Sequence, residues 1–229
     1  MSGYFGSKAG AGVKERIISL MPPHDTYIEL FLGSGVVLNH KPRAARQIGV
    51  EKNNKTVVKY NYTEGAQIIT GCAFDFLQNF DFQTAGRVLI YADPPYLEST
   101  RKGGGEYGNY EMTRLDHEHL LFEVLRLSLM GVMVMLSGYE SQLYNERLNH
   151  LRRLDYQAMT RAGPVTESLW MNFTPARPHW HTYAGENKAQ RQAIKRKAAR
   201  WANKYRACPH GERLAIMAAL QGVDLIDGS

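Results

Sequence analysis

The sequence predicts an α/β fold: a mainly parallel β-sheet covered by helices on both faces, followed by a basic helical C-terminal extension. Three observations predict it. Short apolar runs at residues 27–31 (YIELF), 47–50, 87–92 (RVLIYA) and 132–136 (VMVML) alternate with segments of helical spacing. Gly33, Glu51, Asp93 and Ser137 each stand just beyond one of these runs, so a parallel arrangement gathers them at one sheet edge, where such folds bind ligands. Beyond Pro178 the strand pattern stops and a lysine- and arginine-rich helical pattern replaces it.

The elements follow in order. Val13, Ile17 and Leu20 share a helical face, and Pro22-Pro23 ends that helix. The first strand runs into Gly33-Ser34-Gly35 and a short apolar helix, Val36-Val37-Leu38. The third strand ends at Asp93, and a polar, glycine-rich stretch occupies 97–111. Thr113 reads as a helix N-cap with Asp116 at the third helical position, where an acid suits the exposed amides. Leu120, Leu121, Val124 and Leu127 line that helix, Gly131 stops it, and a fifth strand is expected at 167–173. In the tail, Ile194, Ala198, Trp201 and Tyr205 form an apolar stripe, Pro209 interrupts, and a second helix carries Leu214, Met217 and Leu220. The expected organisation is a core over 1–178, with 97–111 as a substrate or recognition loop, and an extension over 185–229.

A chain of 229 residues with 44% hydrophobic and 22% charged residues has an ordinary globular composition, which excludes disorder as a description of the whole. Two cysteines, Cys72 and Cys208, exclude a disulfide framework and fit a reducing compartment. The longest apolar run is too short to cross a bilayer and the first ten residues lack an apolar signal core, so a soluble cytoplasmic protein with no membrane partner is expected. The His117/His119 and His179/His181 pairs lack cysteine partners at ligand spacing, and no metal is expected.

The net charge of +6 is unevenly placed. Residues 185–213 hold nine basic side chains against two acids, a local +7 that leaves −1 for the remainder. A near-neutral body with a basic tail suits a polyanion, foremost nucleic acid; a solvated helix face is the plainer explanation.

Two constellations carry chemistry. Gly33-Ser34-Gly35 opens a helix after a strand, where glycine lets the backbone approach a ligand. The third glycine of a dinucleotide fingerprint is missing, since Val36-Val37-Leu38 follows, so a pyrophosphate cradle is poorly supported. Glu51, 16 residues past Gly35, can accept two hydrogen bonds from a ribose diol. Together they describe a nucleoside-bearing cofactor that need not carry phosphates.

The sharper signal is Asp93-Pro94-Pro95-Tyr96. Two prolines stiffen the turn and remove two N–H donors, so the Pro94 carbonyl and the Asp93 carboxylate stand as adjacent acceptors. Such a pair suits a planar NH2. The exocyclic amine of a nucleobase is a poor nucleophile because its lone pair is delocalised; two acceptors on its hydrogens favour a pyramidal nitrogen and free that pair. With an unperturbed pKa of about 3.9, Asp93 is too weak a base to deprotonate the amine beforehand, so its expected role is to accept hydrogen bonds and stabilise developing charge. Tyr96 offers a face on which a base can stack, worth roughly 1–3 kcal/mol.

Residues 4–175 resemble the Dam-like, D12-class adenine-N6 DNA methyltransferases. Tyr4-Phe5-Gly6-Ser7-Lys8 is similar to the N-terminal cofactor motif, residues 29–35 to the glycine motif, Asp75-Phe76 to the segment holding the cofactor adenine, and Asp93-Pro94-Pro95-Tyr96 matches the catalytic tetrapeptide in full. The resemblance implies a Rossmann-like methyltransferase sheet and S-adenosylmethionine as cofactor. It places Tyr4 and Lys8 at the methionine end, Phe31, Gly33, Ser34, Gly35, Glu51, Asp75, Phe76 and Asp93 around the cofactor, and methylation of a flipped adenine in double-stranded DNA.

One departure matters. Dam-like enzymes usually insert a target-recognition domain between the two central motifs, yet only 60 residues separate Gly33 from Asp93 here. DNA contact is therefore expected from Arg101, Lys102, Tyr107 and Tyr110 of the 97–111 loop and from Lys195, Arg196, Lys197 and Arg200 of the tail, the latter as a phosphate clamp. A short target or loose specificity follows. Methylation of RNA or of a protein glutamine, a non-catalytic nucleic-acid-binding module, and a homodimer stay open.

Overall fold

The computed structural model describes residues 8, 12–101, 108–160, 163–174, 180, 184–185 and 187–226. The chain divides into two compact units, Met1–Trp180 and His181–Ser229.

The first unit is built on a seven-stranded sheet. Its strands are β1 (Thr26–Leu30), β2 (Arg46–Glu51), β3 (Gln67–Thr70), β4 (Val88–Ala92), β5 (Met133–Gly138), β6 (Arg152–Thr160) and β7 (Gly163–Met171), in the spatial order β3-β2-β1-β4-β5-β7-β6. The first five are parallel; β7 runs antiparallel to both β5 and β6. This is the expected Rossmann-like sheet, closed by an antiparallel hairpin. Strands buried on both sides need continuous apolar sequence, and β1 and β4 are buried at every position. Ile28 of β1 lies between Ile48 of β2 and Ile90 of β4, and Ile90 pairs with Val134 of β5, which makes one apolar row across four strands.

Helices α1 (Val13–Ser19), α2 (Val36–His40), α3 (Asn54–Lys59), α4 (Ala73–Asn79), α5 (Arg114–Leu129) and α6 (Gln142–Arg147) accompany the sheet. Thr113 caps α5 as expected: its hydroxyl accepts from the Asp116 amide while the Asp116 carboxylate accepts from the Thr113 amide. Leu120, Leu121, Val124 and Leu127 are buried in the core beside Trp170, and Gly131 follows the helix at φ 78°.

Several boundaries differ from expectation. β1 ends at Leu30 because Phe31 takes a left-handed φ of 57°, which breaks the pleat. β5 continues through Ser137 and Gly138, since these pair with Leu169 and Ser168 of β7. Ser137 is thus inside the strand, bonded to the Tyr91 hydroxyl at 3.0 Å. β3 and β6 were not legible. β3 is short and mostly polar-edged, and β6 is rich in charge, as strands at the rim of a sheet tend to be.

The second unit contains α7 (Lys188–Ala207), capped by Asn187, and α8 (His210–Ile226). The Tyr205 hydroxyl donates to the Arg213 carbonyl at 3.2 Å, linking the two helices.

Candidate active site

Parallel strands with β1 and β4 side by side reverse the winding direction between them, and that switch point leaves a crevice beyond their C-terminal ends. The register fixes which residues meet there. Leu30 pairs with Val50 on one side and Ala92 on the other, so the chain segments after β1, β2 and β4 leave the sheet at one level. A cavity of about 420 Å3 occupies this edge, within the range of ordinary ligand pockets.

On the β4 side, Asp93, Pro94 and Pro95 line the cavity, and Lys8 reaches it from the N-terminal segment. The Lys8 ammonium, 6% exposed, donates to Asp93 Oδ1 and to the Tyr96 hydroxyl, each at 2.7 Å, and lies 3.5 Å from Glu167 of β7. The Tyr96 hydroxyl lies 3.1 Å from Asp93 Oδ1 and 3.2 Å from Glu167 Oε2, and its single proton serves one of them at a time. Burial raises the Asp93 pKa above the ordinary carboxylate value, with Lys8 opposing and Glu167 reinforcing it. Burial works against the Lys8 charge, yet Asp93 and then Glu167 outweigh it and hold the pKa of that amine above its usual value. The ammonium is therefore charged at any physiological pH.

Tyr96 departs from its expected part. The ring is 7% exposed, makes a T-shaped contact with Tyr139 at 4.5 Å, and is absent from the cavity wall. Its hydroxyl is committed to the Lys8–Asp93–Glu167 cluster, which draws the side chain inward and leaves no open stacking face in this conformation.

On the β1 side, Phe31, Gly33 and Ser34 line the cavity. The left-handed Phe31 backbone is strain of the kind that collects at binding sites, and it turns the chain into the glycine loop. Gly35 sits at φ 63°, and a Cβ there would meet the Tyr62 ring at 2.7 Å, so only glycine fits; it shapes the loop without lining the cavity. Glu51, at the end of β2, accepts from the Gly33 amide through Oε2 and from the Asn53 amide through Oε1, both at 2.8 Å. Each oxygen keeps a further lone pair for a ligand hydroxyl.

Asp75 and Phe76 do not reach the cavity. The residues just before them do: Gly71, Cys72, Ala73 and Phe74 line it, and His119 stacks on Phe74 at 4.3 Å. Phe76 instead packs against Phe80, while Phe74, which also rests on the core, contributes to the cavity wall.

Two acids were not singled out as ligand groups. Glu29 of β1 lines the cavity, accepts from the Tyr27 hydroxyl at 2.8 Å, and is pushed by burial to a pKa of about 8. Glu167 lies inside the expected fifth strand. Neither has a local signal, since an acid in an apolar strand reads as an outward-facing residue until the other face is known to be covered. His117 is a core residue bonded to the Tyr144 hydroxyl at 2.9 Å, and among the described residues no cluster of His, Cys, Asp and Glu side chains is placed to hold a metal.

Of the expected nucleic-acid contacts, Tyr110 stands at the cavity mouth, 36% exposed, beside Glu111 and Met112. Arg101 is a correction. Its guanidinium is 8% exposed, clamps the Glu111 carboxylate through two nitrogens and donates to the Tyr96 carbonyl at 2.6 Å. The cation ties the two ends of the 97–111 loop together instead of presenting itself to a phosphate. Tyr4, Lys102 and Tyr107, with His179 and His181, lie outside the described residues.

In the second unit, α7 carries eight basic residues and no acid. Helical periodicity sorts them into two arcs flanking the Ile194–Ala198–Trp201–Tyr205 stripe. Arg196, Lys197 and Arg200 share one arc with Lys204; Lys195 falls in the other, with Lys188, Arg191 and Arg206.

A comparison with protein-family models returns no match. A comparison with curated proteins returns none either. Solved structures that resemble the chain include an O-methyltransferase from Streptomyces achromogenes in complex with SAM (11% identity, 69% of this chain and 77% of that one, TM-score 0.45). Others are an O-methyltransferase from Bacillus cereus in complex with SAH (11%, 69% and 78%, 0.43) and an rRNA methylase from Streptococcus thermophilus (10%, 69% and 93%, 0.42). The fold assignment rests on the strand order described above, not on these likenesses.

Proposed function

We propose that this chain transfers a methyl group from S-adenosylmethionine to the exocyclic N6 amine of an adenine in double-stranded DNA. The observation that carries the reading is the single cavity shared by Asp93-Pro94-Pro95 on one wall and by the Gly33-Ser34 loop with Glu51 on the other.

The lining suits a phosphate-free, cationic nucleoside. Glu29, Glu51, Asp93, Glu111 and Asp116 face it against Lys8, Lys52 and Lys59, and Lys8 is already paired with Asp93. A pyrophosphate would meet mainly acids. Glu51 would hold the ribose diol; Leu32, Val50 and Phe74 offer apolar surface to the adenine; Glu29 would face the methionine ammonium. When bound, S-adenosylmethionine supplies an electrophilic methyl group on a sulfonium, whose S–C bond breaks as the N–C bond forms.

The chain's own residues position and stabilise. Asp93 and the Pro94 carbonyl accept the two hydrogens of the amine, which orients its lone pair. As the nitrogen gains positive charge, the Asp93 carboxylate stabilises it at short range in a largely dry site. Its raised pKa suits it to take the proton that the methylated nitrogen sheds. The basic arcs of α7, along a helix about 30 Å long, would hold the DNA backbone without reading bases.

The test is transfer of radiolabelled methyl from cofactor to duplex DNA, RNA and protein in parallel, followed by sequencing of the modified DNA. Methyladenine in DNA, abolished by Asp93→Ala with DNA binding retained, is the expected result. Label confined to RNA or protein, or full activity of Asp93→Ala, overturns the reading.

A further inference from the structure

We infer that Glu167 is a positioning residue: by sharing Lys8 with Asp93 it keeps the buried cluster net anionic and the Asp93 carboxylate open to the substrate amine. The inference rests on the amino-methyltransferase reading above. Glu167 belongs to the antiparallel hairpin, far along the chain from the catalytic turn, and is 6% exposed. A carboxylate is rarely buried without a charge partner, because desolvation costs several kcal/mol or more. Here its partners are those of Asp93. Its Oε2 accepts from the Tyr156 hydroxyl at 2.9 Å, lies 3.2 Å from the Tyr96 hydroxyl and 3.5 Å from the Lys8 ammonium.

The charge balance gives this acid its role. One ammonium stands between two carboxylates, 2.7 Å from Asp93 and 3.5 Å from Glu167, so the buried trio carries a net −1. Lys8 and Asp93 alone would be neutral. A neutral pair would offer little to a nitrogen acquiring positive charge; the anionic trio offers a full charge. Glu167 also competes for the Tyr96 proton and for the Lys8 donors. That competition leaves Asp93 with lone pairs for the amine.

Other ionisable groups face Asp93 from every element around it. Tyr27 and Glu29 come from β1, Tyr91 from β4, Tyr156 from β6 and Tyr139 from the end of β5. The tyrosines are neutral at physiological pH, and Glu29, with its pKa of about 8, is mostly so. Glu167 therefore supplies the second anion.

Glu167→Gln keeps the shape and an acceptor for Tyr156 while removing the charge. Three quantities test it: cofactor affinity, the pH profile of single-turnover methyl transfer, and the Asp93 carboxyl titration by carbon NMR. In the variant, Lys8 falls wholly to Asp93. The expected result is an Asp93 midpoint lower by about one pH unit or more, an acid limb of activity displaced with it, and a plateau rate reduced at least about tenfold. Cofactor affinity should stay within about threefold, and Glu167→Asp, which keeps the charge, should recover most of the midpoint and part of the rate. An unchanged plateau rate, or a lower rate with an unmoved Asp93 midpoint, overturns the proposal, since loss of shape alone would not move the titration. If the wild type transfers nothing to DNA, the substrate reading fails, and the Asp93 midpoint alone then decides whether Glu167 governs that carboxyl.

Discussion

Replacing Glu29 by glutamine should make the protein more resistant to denaturant, increasingly so as the pH rises. Glu29 is 4% exposed in the middle of β1, and burial lifts its pKa from 4.5 to about 8. The folded protein therefore holds a proton that the unfolded chain releases between these values. Stability must fall with pH across that window, because the folded state binds more protons than the unfolded one. At about 1.4 kcal/mol per pH unit, the full window corresponds to a loss of about 5 kcal/mol. That is a large fraction of the roughly 5–15 kcal/mol that holds a domain together. Glutamine fills the same space, accepts from Tyr27 and cannot ionise, so its stability lacks this slope. Urea unfolding of both proteins at a series of pH values, followed through buried Trp170 in a Trp180→Phe, Trp201→Phe background, is the assay. The difference between the two should be near constant below pH 4.5, widen up to pH about 8, and flatten above it. With a slope of about 2 kcal/mol per molar urea, the midpoint difference should grow by about 2.5 M. A difference that stays constant across the window would show that Glu29 is ionised in the folded state and would refute the reasoning.

Four further outcomes are expected. Asp93→Asn should cut single-turnover methyl transfer by about 1000-fold while leaving cofactor affinity within about threefold, and a loss below about tenfold would remove Asp93 from the reaction centre. In the wild type, activity should decline in acid at a pH above the ordinary 3.8 of an aspartate, because the raised pKa protonates Asp93 early; a pH–rate profile checks this. Gly49→Ala would put a Cβ 2.6 Å from Leu32 Cδ2, a flexible side-chain end that lines the cavity. It should therefore weaken cofactor binding by about tenfold in calorimetry while the melting temperature drops only a few degrees. Removal of residues 185–229 should weaken DNA binding and reduce the slope of log affinity against log salt by about 3–4, if Arg196, Lys197, Arg200 and Lys204 each neutralise a phosphate. An unchanged slope in a folded truncation would dismiss the clamp.

The amino-acid sequence by itself determined what is encoded within a few residues. Alternating strand and helix patterns are local, so the α/β class, strands β1, β2, β4 and β5, and the C-terminal half of β7 were legible. So were the Thr113 cap with Asp116, and the positions of Gly33, Glu51 and Asp93 just past strand ends. Their convergence on one cavity needed only the rule that parallel strands share an edge.

Tertiary structure decided what depends on pairing between distant segments. Lys8 meets Asp93 across 85 residues, and Tyr96 meets Glu167 across 71. That cluster turned Tyr96 from an expected stacking face into a buried hydrogen-bond partner. The Arg101–Glu111 clamp likewise converted an expected phosphate contact into a loop staple. β6 escaped notice because its stabilisation comes from pairing with β7, not from its own apolar pattern. The physical reason is common to all of these. Periodicity records which face of an element avoids water, whereas a buried charge is stable only beside partners that the chain must fold to deliver.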